Sequence, residues 1–206
     1  MNNNIVIVDY GMGNLNSVKK KLHKLNVDSI ISSNPNTISK ASKLILPGVG
    51  HFSKAMENLN NLGLIDTLNK FALVDNKPIL GICLGMQIMT SHSEEGNCEG
   101  LKWFDADVVK FKITDNLKYK VPHMGWNNLI LKKNSLLMKD VTENDEFYFV
   151  HSFYVMPNNQ TDILNETIYE SPFCSAIEKD NIFGVQYHPE KSHDSGEKVI
   201  RNFLNM

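Results

Sequence analysis

The chain has 206 residues, 42% of them hydrophobic and 21% charged, with a formal net charge of −2. That length suits one α/β domain over 1–206 with a sizeable core, and the near-neutral charge leaves no electrostatic footprint for nucleic acid. No apolar run approaches the ~20 residues of a membrane span, Met1-Asn2-Asn3-Asn4 lacks a signal peptide's basic and apolar regions, and Cys83, Cys98 and Cys174 show no disulfide rhythm, which fits a reducing cytoplasm.

Ile5-Val6-Ile7-Val8 is a continuous apolar, β-branched run and predicts a strand buried on both faces. Asp9-Tyr10-Gly11-Met12-Gly13-Asn14 turns the chain. Leu15, Val18, Leu22 and Leu25 then recur at helical spacing, with lysines opposite. Ile30-Ile31 and Leu44-Ile45-Leu46 predict two further strands, the latter stopped by Pro47-Gly48-Val49-Gly50. Phe52, Met56, Leu59 and Leu62 mark one helix, and Leu64, Ile65, Leu68 and Phe71 another. Ile79-Leu80-Gly81-Ile82 is the next strand. Short apolar strands alternating with amphipathic helices predict a mostly parallel sheet covered on both faces.

After about residue 100 the texture changes. Asp107–Ile113, Val121–Leu131, Glu146–Val155, Phe173–Glu178 and Ile182–Tyr187 read as strands, the last two joined through Glu178-Lys179-Asp180-Asn181. Asp194 and Glu197 resemble a capping box opening a final helix with Val199, Ile200, Phe203 and Leu204 inward. The second half thus adds antiparallel strands.

The chemistry centres on Gly81-Ile82-Cys83-Leu84-Gly85, a strand end running into a helix. G-x-C-x-G there is the cysteine form of a nucleophile elbow. The glycines give room for a sharp turn, and the helix end favours a thiolate. The Leu84 N–H would face a tetrahedral oxyanion. The alternative is a core cysteine beside packing glycines. A thiolate needs a base, and the base an orienter. His188 and Glu190 flank Pro189 just past an apolar strand, at a spacing that projects both the same way. Alone, they could be two solvated groups on a surface turn. No CxxC or HExxH spacing signals a metal, and no cofactor is called for.

These motifs together resemble the class I (triad type) glutamine amidotransferases. DYGMGNL (9–15), LPGVGHF (46–52), GICLGMQ (81–87), SEEG (93–96), VPHMGWN (121–127), FYFVHSFY (147–154) and HPEKS (188–192) come in the order expected of the HisH family, glutaminase subunits of imidazole glycerol phosphate synthase. The resemblance implies that fold and a Cys83 nucleophile, with His188 as general acid and base and Glu190 as its orienter. It implies oxyanion donors at Leu84 and around Val49 and Gly50. Gln87, Glu95, Ser152 and Phe153 would hold the substrate, L-glutamine. The ammonia would pass to a HisF-type (β/α)8 cyclase partner in a heterodimer. The products there would be imidazole glycerol phosphate and an aminoimidazole carboxamide ribotide, in histidine biosynthesis. Tyr10, Asn14, Met124 and Trp126 would meet that partner. Two stretches depart from the family pattern: Ile88-Met89-Thr90-Ser91 and GLKWFDADVVKF (100–111). Both resemble paralogues that supply ammonia to surface-sugar synthesis. A non-catalytic regulatory module of the same fold is a further alternative, opposed by the intact Cys83, His188 and Glu190. A related-fold cysteine peptidase would need neither SEEG nor PHMGWN.

Overall fold

A computed structural model describes residues 4–206. Met1, Asn2 and Asn3, on which the signal-peptide reading largely rests, lie outside the described residues. The first half runs β1 (Ile5–Val8), α1 (Leu15–Lys24), β2 (Ser29–Ser32), α2 (Pro35–Ser39), β3 (Lys43–Gly48), α3 (Phe52–Asn61), α4 (Ile65–Asn69), β4 (Ile79–Cys83) and α5 (Leu84–Gln87). A π-helical turn, Lys70–Val74, extends α4. The second half holds β5 (His92–Ser93), β6 (Cys98–Glu99), β7 (Ala106–Lys110), β8 (His123–Asn128), β9 (Ile130–Leu131), β10 (Glu146–His151), β11 (Phe153–Pro157), β12 (Ile163–Tyr169), β13 (Ser171–Lys179), β14 (Ile182–Val185) and α6 (His193–Leu204).

The main sheet runs β2-β1-β3-β4-β14-β13-β11-β7-β5-β6, with β12 alongside β13 and β9 alongside β12. The strands from β2 to β14 are parallel, and β14, β13, β11 and β7 then pair antiparallel. Alternation along β1 explains the two-sided cover. Val6 and Val8 pack with Phe52, Leu59, Leu68 and Phe71 on one face. Ile5 and Ile7 pack with Val18, Leu22, Val199, Ile200 and Phe203 on the other. Each side chain so buried contributes roughly 1.5–3 kcal/mol, which holds α1 and α6 against the sheet. Among the described residues, no helix is long and apolar enough to cross a membrane.

Several expectations need correction. The apolar run Glu146–Val155 is two strands. β10 pairs with β8 in a separate two-stranded sheet, with Phe149 opposite Gly125. After Ser152 the chain enters the main sheet, where Val155 lies opposite Val108. The strand expected over Asp107–Ile113 ends at Lys110, and Phe111 N–H reaches the Ser152 carbonyl instead. Val121–Leu131 divides into β8 and β9. No capping box opens α6. Ser192 stands at its N-cap without a side-chain cap, and the Glu197 carboxylate is taken by Lys21 (3.1 Å) and Arg201 (2.8 Å).

The two departing stretches form one unit. Leu101 N–H donates to the Ile88 carbonyl, Trp103 and Phe104 N–H to that of Met89, Lys102 N–H to that of Thr90, and Gly100 N–H to that of Ser91. Ile88, Met89 and Thr90 are buried. The segment after α5 therefore uses the 100–104 backbone to satisfy its own carbonyls, as buried polar groups require.

An ion pair fastens α6 to the loop before β10. Lys198 Nζ lies 2.9 Å from both Asp145 oxygens, and Ser195 Oγ and Thr142 N–H also donate to that carboxylate. Burial alone would raise the Asp145 pKa, but Lys198 and the other donors outweigh it and hold it at about 2. A depressed carboxylate pKa stabilises the fold above the unfolded value, about 3.9, and the gain is lost as pH falls through the folded value. Asp145→Asn should therefore lower the urea midpoint at neutral pH. Its deficit against the parent should shrink between about pH 3.9 and about pH 2. A deficit independent of pH would mean that the carboxylate charge contributes nothing.

Candidate functional site

Cys83 ends β4 with φ 54 and ψ −109, a conformation that L side chains rarely adopt. Such a backbone costs on the order of 1–3 kcal/mol and persists only when its surroundings enforce it. Here they do. The chain leaves a strand paired on both sides, by β3 and β14, and turns at once into α5. The flanking glycines make the turn possible through space rather than through their own dihedrals. A Cβ on Gly85 would lie 1.7 Å from the Leu46 carbonyl oxygen, and one on Gly81 would lie 2.6 Å from the Gly85 oxygen. The helix starts pressed against the strands it follows.

His188 follows β14, the strand beside β4. Its backbone is fixed from two directions. Its N–H donates to the Tyr148 carbonyl at 2.9 Å, and its own carbonyl accepts from Ser192 Oγ at 2.7 Å. Ser192 Oγ also receives the Tyr148 N–H, tying β10 to the 188–192 turn. His188 Nδ1 and Glu190 Oε1 are 2.8 Å apart, and both side chains are buried. A carboxylate can only accept, so Nδ1 carries the proton and Nε2 is turned away from Glu190. Nε2 is itself buried and has no hydrogen-bond partner of ordinary geometry among the described residues. Burial would lower the imidazole pKa, but Cys83 and Glu190 together overcome it and raise it to about 9. At neutral pH the ring is thus charged.

A pocket of about 320 Å³ opens over Cys83, lined by that residue and by Val49, Gly50, Leu84, Gln87, Glu95, Ser152 and Phe153, together with Pro122, Val150 and His151. Every oxyanion and substrate-binding residue expected from the sequence lies on this one wall. Glu95 is fixed there by the Phe52 N–H at 2.8 Å. Gln87 is buried, and its amide nitrogen is engaged by the Phe153 carbonyl and by Gln186 Oε1. A larger groove along α1 and β2, lined by Lys19, Lys20 and Lys24, lies against other elements and takes in none of the expected site residues.

The expected partner-facing residues divide. Met124 and Trp126 are 62% and 44% exposed on β8, and Trp126 stacks on His193 with ring centroids 5.0 Å apart. Asn14 is exposed, though its side chain also caps α1 through Ser17 N–H. Tyr10 departs from the expectation. It is fully buried, so its side chain cannot reach a partner. Its hydroxyl fills the space where a Gly48 side chain would stand. Burial, and then the Cys83 charge, push that phenol far above its ordinary range.

Three buried polar residues lie around the site: Gln186, for which the sequence carries no expectation, and His151 and His123, which the sequence places in motif strands as core or near-site groups. Gln186 places its amide nitrogen 3.5 Å from Cys83 Sγ. It sits two residues before His188, and alternation in an extended segment could have pointed it the same way. His151 and His123 form a hydrogen-bonded pair, Nε2 to Nδ1, at 3.1 Å. Burial lowers them to about 3 and about 4 respectively. Their sequence context carries no signal beyond two histidines in apolar strands.

A strained cysteine at a strand–helix turn, beside a buried histidine–carboxylate pair, on this sheet, defines a class. The sequence matches the family Glutamine amidotransferase class-I over residues 6–206, and the chain belongs to that family. Within it the chain falls among the HisH subunits. Imidazole glycerol phosphate synthase subunit HisH 2 of Methanococcus maripaludis is 52% identical over 200 residues, covering 97% of this chain and 98% of that one. Subunit HisH 1 of Campylobacter jejuni is 45% identical, covering 98% and 100%. Among solved structures, PurLQS from Thermotoga maritima superposes with a TM-score of 0.71 over 100% of this chain and 99% of that one. At 17% identity that likeness speaks to fold alone.

Proposed function

We propose that the chain is the glutaminase subunit of an imidazole glycerol phosphate synthase, with Cys83, His188 and Glu190 as its catalytic triad. The observation that carries this reading is the Cys83 turn beside the buried His188–Glu190 pair, under a pocket lined by the expected substrate residues. Cys83 Sγ attacks the side-chain amide carbon of L-glutamine. The carbonyl oxygen takes the negative charge, facing Leu84 N–H and the Val49–Gly50 turn. His188, charged at neutral pH, gives its Nε2 proton to the amide nitrogen, and ammonia leaves as the C–N bond breaks. The glutamyl thioester remains. Water then adds to it, His188 takes the proton, and the C–S bond breaks to release glutamate and restore the Cys83 thiolate beside the charged His188. Glu190 keeps Nδ1 protonated throughout, so Nε2 is the working nitrogen. The Glu95 carboxylate suits the ammonium end of the substrate.

Ammonia released into water would be protonated and lost as a nucleophile. A HisF-type (β/α)8 barrel docking through the exposed Met124, Trp126 and Asn14 would receive it and form imidazole glycerol phosphate and the carboxamide ribotide. Free Cys83 suits a cytoplasmic setting. Glutamate release should be low for the chain alone and rise with the barrel and its ribotide ligand. It should then fall as pH rises through about 9, where His188 loses its proton. Equal release with and without the barrel would sink the heterodimer reading.

A second reading changes only where the ammonia goes. The stretches 88–91 and 100–104 interlock without including a triad residue, and the two HisH relatives above carry numbers, HisH 2 and HisH 1. Ammonia would then serve a surface-sugar amidation through a HisF-like barrel. Failure of imidazole glycerol phosphate to form with a histidine-pathway barrel would favour it.

A further inference from the structure

The buried polar chain beneath the pocket leaves one side-chain amide a single orientation. The Phe153 carbonyl oxygen can only accept, and two side chains meet it: His151 Nδ1 at 2.7 Å and Gln87 at 3.1 Å. The Gln87 atom there must be its amide nitrogen. That same nitrogen lies 2.9 Å from Gln186, so the Gln186 atom facing it must be the oxygen. The remaining Gln186 atom is therefore the NH2 group, and it lies 3.5 Å from Cys83 Sγ. The backbone leaves no slack. Gln186 is fully buried, and its N–H is held by the Ser175 carbonyl. The histidine side of the network agrees. With Nδ1 of His151 donating, its Nε2 accepts from His123 Nδ1.

We infer that Gln186 is a catalytic residue, whose side-chain N–H fixes the Cys83 sulfur in its attacking position and stabilises the thiolate. This rests on Cys83 being the nucleophile. A neutral donor suits the task. It favours the anion over the thiol without placing a second cation beside His188, and it adds no proton to the reaction. Gln87 and Phe153 supply the orientation. An amide held at only one end could turn its oxygen toward the sulfur and oppose the negative charge. The titratable groups around Cys83 are His188 with Glu190, Tyr10 from the turn after β1, and Glu95 and His151 in the pocket wall.

The test is the pH profile of Cys83 alkylation by iodoacetamide in the full chain, read on the Cys83 peptide by mass spectrometry. Cys98 is partly exposed and serves as an internal reference. In Gln186→Met, which keeps length and loses the donor, the Cys83 profile should move up by about one pH unit, a tenfold change in thiolate population at fixed acid pH. Gln186→Glu should move it further. kcat for glutamine hydrolysis should fall about tenfold. A Gln186→Met profile that coincides with the parent's overturns the inference. If the variants do not fold, the unaltered chain decides. The Gln186 side-chain amide resonance should follow the Cys83 titration and lose that response in Cys83→Ala, and a resonance indifferent to both overturns the inference. Cys83→Ala separates the two levels. If that variant keeps its glutaminase activity, the triad reading fails. If it is inactive while the Gln186→Met profile is unmoved, only the role of Gln186 fails.

Discussion

Cys83→Ala should abolish glutamine hydrolysis, lowering the rate by on the order of 10⁴-fold or more, while leaving the fold intact. Alanine keeps the Cβ, so the strained dihedrals and the packing stay as they are. Only the sulfur is lost, and neither His188 nor the oxyanion turn can replace a nucleophile. A companion variant probes the other half of the design. Cys83→Gly removes the Cβ that makes φ 54 unfavourable. Relief of strain is worth about 1–3 kcal/mol, against the extra backbone entropy of glycine, about 0.5–1 kcal/mol. The gain wins, so Cys83→Gly should melt above Cys83→Ala, although both are inactive. Glutamate release at the parent rate from Cys83→Ala would remove Cys83 from the mechanism. A Cys83→Gly variant less stable than Cys83→Ala would show that no strain is stored at the turn.

Gly85→Ala should be the most damaging of the glycine-to-alanine changes. The new Cβ would sit 1.7 Å from the Leu46 carbonyl oxygen. Overpacking usually costs about 1–3 kcal/mol because side chains can give way. Here both parties are backbone. Leu46 lies in β3, paired with β1 on one side and β4 on the other, and Gly85 lies in the helix behind the elbow. Neither moves without opening the centre of the sheet. A loss above about 3 kcal/mol is expected, a large share of the 5–15 kcal/mol typical of a domain. Thermal denaturation would register it as a fall of about 6–12 °C or as failure to fold. Gly63→Ala gives the contrast. Among the described residues no atom lies within 4 Å of a Cβ there, and only its positive φ, 64°, resists. That should cost about 1 kcal/mol. Equal melting of Gly85→Ala and the parent would refute the close approach.

The parallel half of the fold was legible because its strands bury both faces. β1, β3 and β4 read as unbroken apolar runs, and α1 and α3 show one apolar face. The site's core was legible for a related reason. The elbow needs glycines where a Cβ would strike backbone, and those glycines stand beside the cysteine. The second half resisted because its core is partly polar. β12 carries Asn165 and Thr167, both fully buried and joined through Ser175 Oγ, so no apolar alternation announces it. The break at Ser152 was hidden inside an apolar run, since a strand that changes sheets keeps its hydrophobic character. Tyr10 misled for the opposite reason: tyrosine suits an interface and a core equally well. Gln186 went unnoticed because an amide carries no charge, and its orientation depends on Gln87 and Phe153, which are remote in sequence.

The interlock of 88–91 with 100–104 bears on how such chains diverge. The bonds join backbone groups, which every residue but proline carries, so the side chains of either stretch can drift while the pairing stays. What is constrained is the spacing and path of the two segments, since an insertion or a proline within 100–104 would strand carbonyls in 88–91. The pair is thus a single cassette of fixed length, joined to the short helix that follows the nucleophile. A chimera that keeps the length of both stretches should fold, while one that lengthens either alone should lose stability.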